Sequence, residues 1–199
     1  MEEIRYMLKP DSISWDEIAK CQYDAHFRNR KKGVNMSCQD LSGDQLKKSL
    51  NNAFCFVALD ERNRVIGTSS IKINDGKILW HKIKKCYYCM TAVIPEYQGT
   101  DVYMELSDIQ KEEMKKHKVD FLYFDTAEQN KLVQKMNKKK GFFYYQYKSY
   151  DSTTYYSVVM AKWTKKKVFP DWVMRTLFVL SKVYTKIRYK AGGVKRFGI

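Results

Sequence analysis

No apolar run in these 199 residues approaches the roughly 18 uninterrupted residues of a bilayer span, so a transmembrane helix is not expected. No apolar stretch with a cleavage site opens the chain either, since Met1-Glu2-Glu3 is acidic. The five cysteines, at 21, 38, 55, 86 and 89, are odd in number and lack the spacing of a disulfide framework. Together these absences point to a reducing, cytoplasmic setting. Cys86-Tyr87-Tyr88-Cys89 has no second cysteine pair, and His81 has no matching partner, so no metal site is expected. Cysteines three apart on a strand face opposite ways, and small buried thiols are the expected outcome. The sequence also lacks internal repeats and any recognised nucleic-acid motif.

What is present suits one domain with a real core. Apolar residues make up 44% and aromatics 15%, which excludes a disordered chain despite a charged fraction of 30%. Fifteen tyrosines suit half-buried strands and wet pockets, where the ring packs and the hydroxyl finds a partner. The net charge is +15, and it is unevenly placed. From Ala161 to Ile199 there are eleven Lys/Arg and one acid, Asp171, so most of the excess belongs to a tail.

Along the chain, Ile4 to Leu8 reads as a strand stopped at Pro10. Ser14 and Glu17 form a capping box for a first helix, which the basic stretch Arg28-Asn29-Arg30-Lys31-Lys32-Gly33 breaks. A second helix runs from Ser42 or Asp44 through Leu50. Phe54–Leu59 and Val65–Ile73 are strands, Asn74-Asp75-Gly76 carries turn chemistry, and a long strand stretch follows from Ile78 to Val93. Next come an amphipathic helix from Asp101 to His117 and a buried strand from Val119 to Phe124. A helix from Asn130 to Lys140 stops at Gly141, and aromatic-rich strands at Phe142–Tyr147 and Tyr155–Trp163 complete the order β-αα-βββ-α-β-α-ββ. The expected fold class is α/β (α+β), a mixed, mostly antiparallel central sheet flanked by helices. The expected division is 1–163 for this domain and 164–199 for a basic extension.

Two segments carry chemistry. In Val93-Ile94-Pro95-Glu96-Tyr97-Gln98-Gly99-Thr100-Asp101-Val102-Tyr103 a strand ends at a proline and a helix starts after a short turn. Free N–H groups at a helix start attract anions, and Gly99 permits close backbone approach; the bland alternative is an ordinary helix cap. The second segment is Phe124-Asp125-Thr126 with Asn130, followed by a short helix and Gly141-Phe142.

In this order and separation the two segments resemble the cofactor motifs of the GCN5-related N-acetyltransferase (GNAT) family, over roughly residues 4 to 163. The resemblance implies an acetyl-CoA-dependent acyltransferase acting on an amine or hydroxyl. It implies that the strand before the turn splays at a bulge, with the Val93 N–H polarising the thioester carbonyl. It also implies that Gln98, Gly99, Thr100, Asp101, Val102 and Tyr103 hold the pyrophosphate, and that Asn130 lies along the pantetheine. Asp101 and Tyr103 occupy positions where the family has small residues, and Asp101 is expected to cap the helix or to turn outward. The family's tyrosine near the thiol falls on Asn137, an amide that donates a hydrogen bond but gives up no proton. For the base, His26, His81, Tyr88 and Asp125 stay open, each with a structural alternative. The basic rim from Arg28 to Lys32 favours an anionic small-molecule acceptor, against the reading of a solvated helix end. A GNAT-like fold that no longer catalyses and serves as an interaction or scaffold module is the rival function.

The tail reads as a helix over 171–190 with Val173, Leu177, Leu180, Tyr184 and Ile187 on one stripe, widened by Met174, Phe178 and Val183. Arg175, Lys182, Lys186, Arg188 and Lys190 interrupt it, and Ala191-Gly192-Gly193 ends it. Three partners compete for the stripe. They are the domain itself or a second subunit in a homodimer, an anionic membrane surface bound peripherally, and, least favoured, nucleic acid.

Overall fold

Two capping boxes open the first long helices. Ser14 accepts from Glu17 N while Glu17 accepts from Ser14 N, which starts α1, Trp15–Ala25. Ser42 and Gln45 repeat the pattern for α3, Gly43–Ser49. Each box satisfies two backbone donors that a helix start leaves without partners. Between them the basic stretch is itself a short helix, α2, Phe27–Lys31, rather than a plain break. The computed structural model describes residues 3–31, 36, 38–150 and 155–191, with the side chains of 189–191 left aside. Lys32 of the basic rim, Gly33 after it, and the tail after Ala191 lie outside the described residues.

The strands are β1 Arg5–Leu8, β2 Phe54–Leu59, β3 Val65–Ile78, β4 His81–Val93, β5 Phe121–Ala127, β6 Phe143–Ser149 and β7 Tyr156–Trp163. They form one sheet in the order β1-β2-β3-β4-β5-β7-β6, antiparallel at every pairing except β4 with β5. The remaining helices are α4 Val102–Lys116, α5 Lys131–Lys139 and α6 Asp171–Ala191. The element order agrees with the sequence reading, with α2 added.

Strand β3 runs straight through Asn74-Asp75-Gly76, and the hairpin turns instead at Leu79-Trp80, with Leu79 at φ 53°. Ile78 and Ile83 explain the displacement. Both are buried in one cluster with Phe121, Tyr145 and Trp163, and turning at Asn74 would forfeit that burial.

Helices α1 and α4 cover opposite faces of the sheet. Cys21 of α1 and Cys55 of β2 lie on one side, while Val102 and Leu106 of α4 meet Gly67 and Ala58 on the other. Gly67 is the contact that admits α4. A Cβ there would sit 2.9 Å from Val102 Cγ1 and 3.2 Å from Leu106 Cδ1, closer than packed atoms tolerate. α4 buries Val102, Leu106, Gln110 and Met114, so Met104 points outward.

Helix α6 packs along β6, and its buried face is rotated from the expected stripe. Met174 is buried, Leu177 and Phe178 are partly buried, and Phe178 stacks on Tyr144. Ser181 Oγ accepts from Tyr147 N, and buried Thr185 donates to Tyr147 O. Two hydroxyls thus pair backbone groups of the edge strand. Leu180, Tyr184 and Ile187, assigned to the packed stripe from sequence, face outward. The edge strand, rather than the longest apolar row, decides which side of the helix docks.

Candidate active site

Strands β4 and β5 pair only from Lys85↔Phe121 to Tyr87↔Tyr123, and beyond Tyr87 they part. β4 is distorted where it leaves. Met90 adopts φ 52°, and the register with β3 shifts between Thr68 and Ser70. The bulge therefore centres on Met90, three residues before Val93.

Two buried glutamines brace the bulge from opposite faces. Gln22 of α1 donates to Met90 O at 2.6 Å. Gln110 of α4 donates to Ser69 Oγ at 2.7 Å, and Ser69 Oγ lies 2.7 Å from Thr91 Oγ1. A left-handed Met carries backbone strain, and these contacts hold it in place. Sequence reasoning missed both glutamines. Their one signal is a polar residue on an otherwise inward helical face.

The parting strands open a cleft of about 1490 Å³. Side-chain alternation gives it two sides. Tyr88 and Phe124 face α4 and α5, with Tyr103, Asn137, Lys140 and Phe142 along the same wall. Tyr87, Cys89 and Asp125 face the other way, where His26, Cys38 and Tyr155 line the cleft.

On the α4 side, Ile94 N bonds to Ile66 O, so alternation turns the Val93 N–H and C=O away from β3 and toward the opening. Val93 O is taken by Gln98 Nε2 at 2.9 Å, which also reaches Ala25 O at 3.2 Å. The Gln98 amide nitrogen is thus committed to tying β4 to α1. Gly99 sits at φ +91°, with nothing within 4 Å of a built Cβ, so its conformation rather than crowding calls for glycine. Asp101 does not cap α4. The Thr100 hydroxyl lies 3.5 Å from Val102 N instead, and the Asp101 carboxylate is left exposed at the helix start. The N–H groups of Tyr103 and Met104 have no acceptor within the helix. Lys140 Nζ stands 5.1 Å from the Tyr103 ring centroid, which brings a cation to this helix start.

Asn130 caps α5, accepting from Val133 N at 3.4 Å. Asn137 is buried and spends a side-chain donor on Val133 O at 2.9 Å. The Tyr88 hydroxyl is buried beside Ser107, outside hydrogen-bond geometry, and burial pushes its pKa well up. His81 is not brought to the cleft. It sits at the β3–β4 hairpin, exposed, with its ring 6.3 Å from Phe169.

On the other side, the Tyr87 hydroxyl donates to Asp125, and Tyr87 stacks on Tyr123 at 5.1 Å. Burial, then the Asp125 charge, raises the Tyr87 and Tyr150 phenols, and pushes Tyr155 up to about 12. These phenols stay protonated around one carboxylate. Burial also pushes the Cys38 thiol up to about 11, which keeps it a poor nucleophile. Of the described basic residues of α2, only Arg28 lines the cleft. Arg30 stacks on Tyr23 at 3.6 Å and Lys31 lies over Phe27 at 4.5 Å, both turned aside.

His26 is buried, with Nδ1 3.2 Å from Asn29 Nδ2 and Nε2 3.8 Å from Cys38 Sγ. Burial, and secondarily the Arg30 charge, lowers its pKa. In the unfolded chain it titrates near about 6.5. Between the two values the unfolded chain binds a proton that the folded chain refuses. This contribution to stability is therefore whole above about pH 6.5 and is lost as pH falls toward the folded pKa. His26→Gln should flatten the decline of melting temperature between pH 7.5 and 5. Parallel curves for the two proteins would contradict this.

No family model matches the sequence, and no curated protein does. Solved structures match in fold. A GNAT acetyltransferase from Staphylococcus aureus Mu50 superposes with TM-score 0.62 at 13% identity, covering 82% of this chain and 100% of that one. An acetyltransferase from Streptococcus agalactiae 2603 gives 0.60 at 17%, covering 80% and 98%. A chain of the NatC complex, solved bound to Gag peptide and CoA, gives 0.61 at 15%, covering 82% and 99%. The fold is that of the GNAT acetyltransferases.

Proposed function

We propose that this protein transfers an acetyl group from acetyl-CoA to a primary amine. The observation that carries the reading is the open cleft where β4 and β5 part beside a helix start whose Tyr103 and Met104 N–H groups have no acceptor within the helix. Such a start accepts a pyrophosphate, and the cleft volume accommodates a pantetheine arm. Gly99, the N–H groups of Tyr103 and Met104, and Lys140 would hold the phosphates, with Asn130 and the Val93 N–H along the arm. Bound acetyl-CoA would supply the thioester.

The chain's own groups divide the remaining work. Asp125 holds the acceptor as an ammonium among Tyr87, Tyr150 and Tyr155 and takes its first proton, which frees the nitrogen lone pair to bond to the carbonyl carbon. The second nitrogen proton passes to the departing sulfur, which leaves as the thiol. The C–S bond breaks, and the Tyr88 hydroxyl, on the cofactor side, donates a hydrogen bond to the departing sulfur. A carboxylate at the acceptor end favours a cationic acceptor over the anionic one expected from the basic rim.

Calorimetry with acetyl-CoA, followed by thiol release against a panel of primary amines, tests the proposal. Binding with no turnover on any amine would favour the scaffold reading, and no binding at millimolar ligand would reject the cofactor. Lys140→Ala should weaken acetyl-CoA binding about five- to tenfold through loss of a charge-assisted phosphate contact. Asp101→Asn should tighten it, because an anion leaves the helix start. As Asp101 makes no cap, stability should change by less than about 0.5 kcal/mol, read from thermal melts.

A further inference from the structure

Helix α6 has a second apolar face. Opposite the side held by Met174, Phe178, Ser181 and Thr185, an apolar band runs through Trp172, Val179, Leu180, Val183, Tyr184 and Ile187. At 100° per residue the band spans more than a third of the helix circumference, diametrically across from β6. Its members are more than half exposed, from 51% for Val183 to 69% for Trp172. A helix apolar on both sides is normally covered on both.

The charges around the band identify the cover. Arg175 and Lys186 flank it on one edge and Arg188 on the other, and no acid occurs anywhere after Asp171. A second copy laid on this face would oppose cation to cation, in a chain that already carries +15. An anionic lipid surface complements both the apolar band and its basic borders. Trp and Tyr suit the boundary between acyl chains and water, and Trp172 and Tyr184 stand in the band. The hairpin tip extends the same character. Trp80 is 79% exposed and packs edge-on against Phe169 at 5.7 Å, just ahead of α6. No helix among the described residues is long and apolar enough to cross a membrane, so contact at this face would be peripheral.

We propose that the outer face of α6 docks on an anionic membrane surface, with its apolar band in the headgroup boundary and its bases on acidic lipids. The test is sedimentation of the full chain with vesicles of phosphatidylglycerol and phosphatidylcholine. The protein should pellet with mixed vesicles and remain in solution with pure phosphatidylcholine. Binding should fall at least about tenfold between about 50 and 500 mM salt as screening removes the basic contribution. Val183→Glu should abolish binding while the melting temperature stays nearly unchanged, since Val183 is 51% exposed and belongs to none of the buried clusters. Arg175→Glu with Lys186→Glu should do the same. Equal binding to neutral vesicles, no binding to either, or a dimer in light scattering that Val183→Glu disperses would each overturn the assignment. The last result would give the face to a second copy.

Discussion

Ending the chain at Lys167 should lower the melting temperature by roughly 6–24 °C and leave a protein that aggregates on standing. The truncation removes Phe169 and Met174, both buried among Phe121, Tyr145 and Trp163, and lifts Phe178 from Tyr144. A fully buried apolar side chain of this size contributes about 1.5–3 kcal/mol. Two such losses shift the melting temperature by roughly 6–24 °C in a domain of this length, at about 2–4 °C per kcal/mol. The hydroxyls of Ser181 and Thr185 go too, leaving Tyr147 N and O of β6 open to another strand. Circular dichroism melts and size exclusion read both effects. A truncated protein that melts with the full chain would mean that α6 is an appendage and that β6 needs no cover.

The same helix shows where sequence reasoning stops. Its existence and limits follow from periodicity, because a five-turn pattern leaves few alternatives. Which face docks does not. Leu180, Tyr184 and Ile187 have the stronger apolar signal, yet the side carrying Ser181 and Thr185 wins, because β6 offers backbone groups that need partners. The β3–β4 hairpin failed for a related reason. Asn74-Asp75-Gly76 has turn chemistry, but the burial of Ile78 and Ile83 extends the strands past it and places left-handed Leu79 in the turn.

The α4 side of the cleft was legible as chain segments, because Val93, Gly99, Thr100 and Asn130 sit at strand ends and helix starts that local signals mark. Their roles were less so. Gln98 was read as a phosphate residue; its side-chain amide bridges Ala25 and Val93. Asp101 was read as capping the helix or turning outward; its carboxylate is exposed, and the Thr100 hydroxyl lies 3.5 Å from Val102 N. Gln22 and Gln110 were invisible, since bracing a bulge is a tertiary function with no local pattern. His81 was attractive as a histidine on the strand leading to the bulge, but it lies at the opposite end of β4 from Val93, twelve positions away. Asp125 was one name among four. Alternation on β5 turns it toward Tyr87, away from the side that holds Phe124 and Phe142.

Asp125→Asn should therefore be the most damaging single change to turnover. An asparagine keeps the shape and still accepts from the Tyr87 hydroxyl, so the fold and the stacked Tyr87–Tyr123 pair should survive. It neither balances an ammonium nor removes its proton. Loss of a positioned base costs about 10²–10⁴-fold in rate. The expected result is kcat at least about a hundredfold lower, KM for the amine raised, and acetyl-CoA affinity by calorimetry unchanged, because the carboxylate faces away from the cofactor wall. Tyr87→Phe should be milder, about tenfold, since it removes one donor from a carboxylate that Tyr150 also approaches. If Asp125→Asn retained turnover within threefold of the parent, the proton would have to leave by another group. His26, neutral and facing the same half of the cleft, would then be the side chain to replace next.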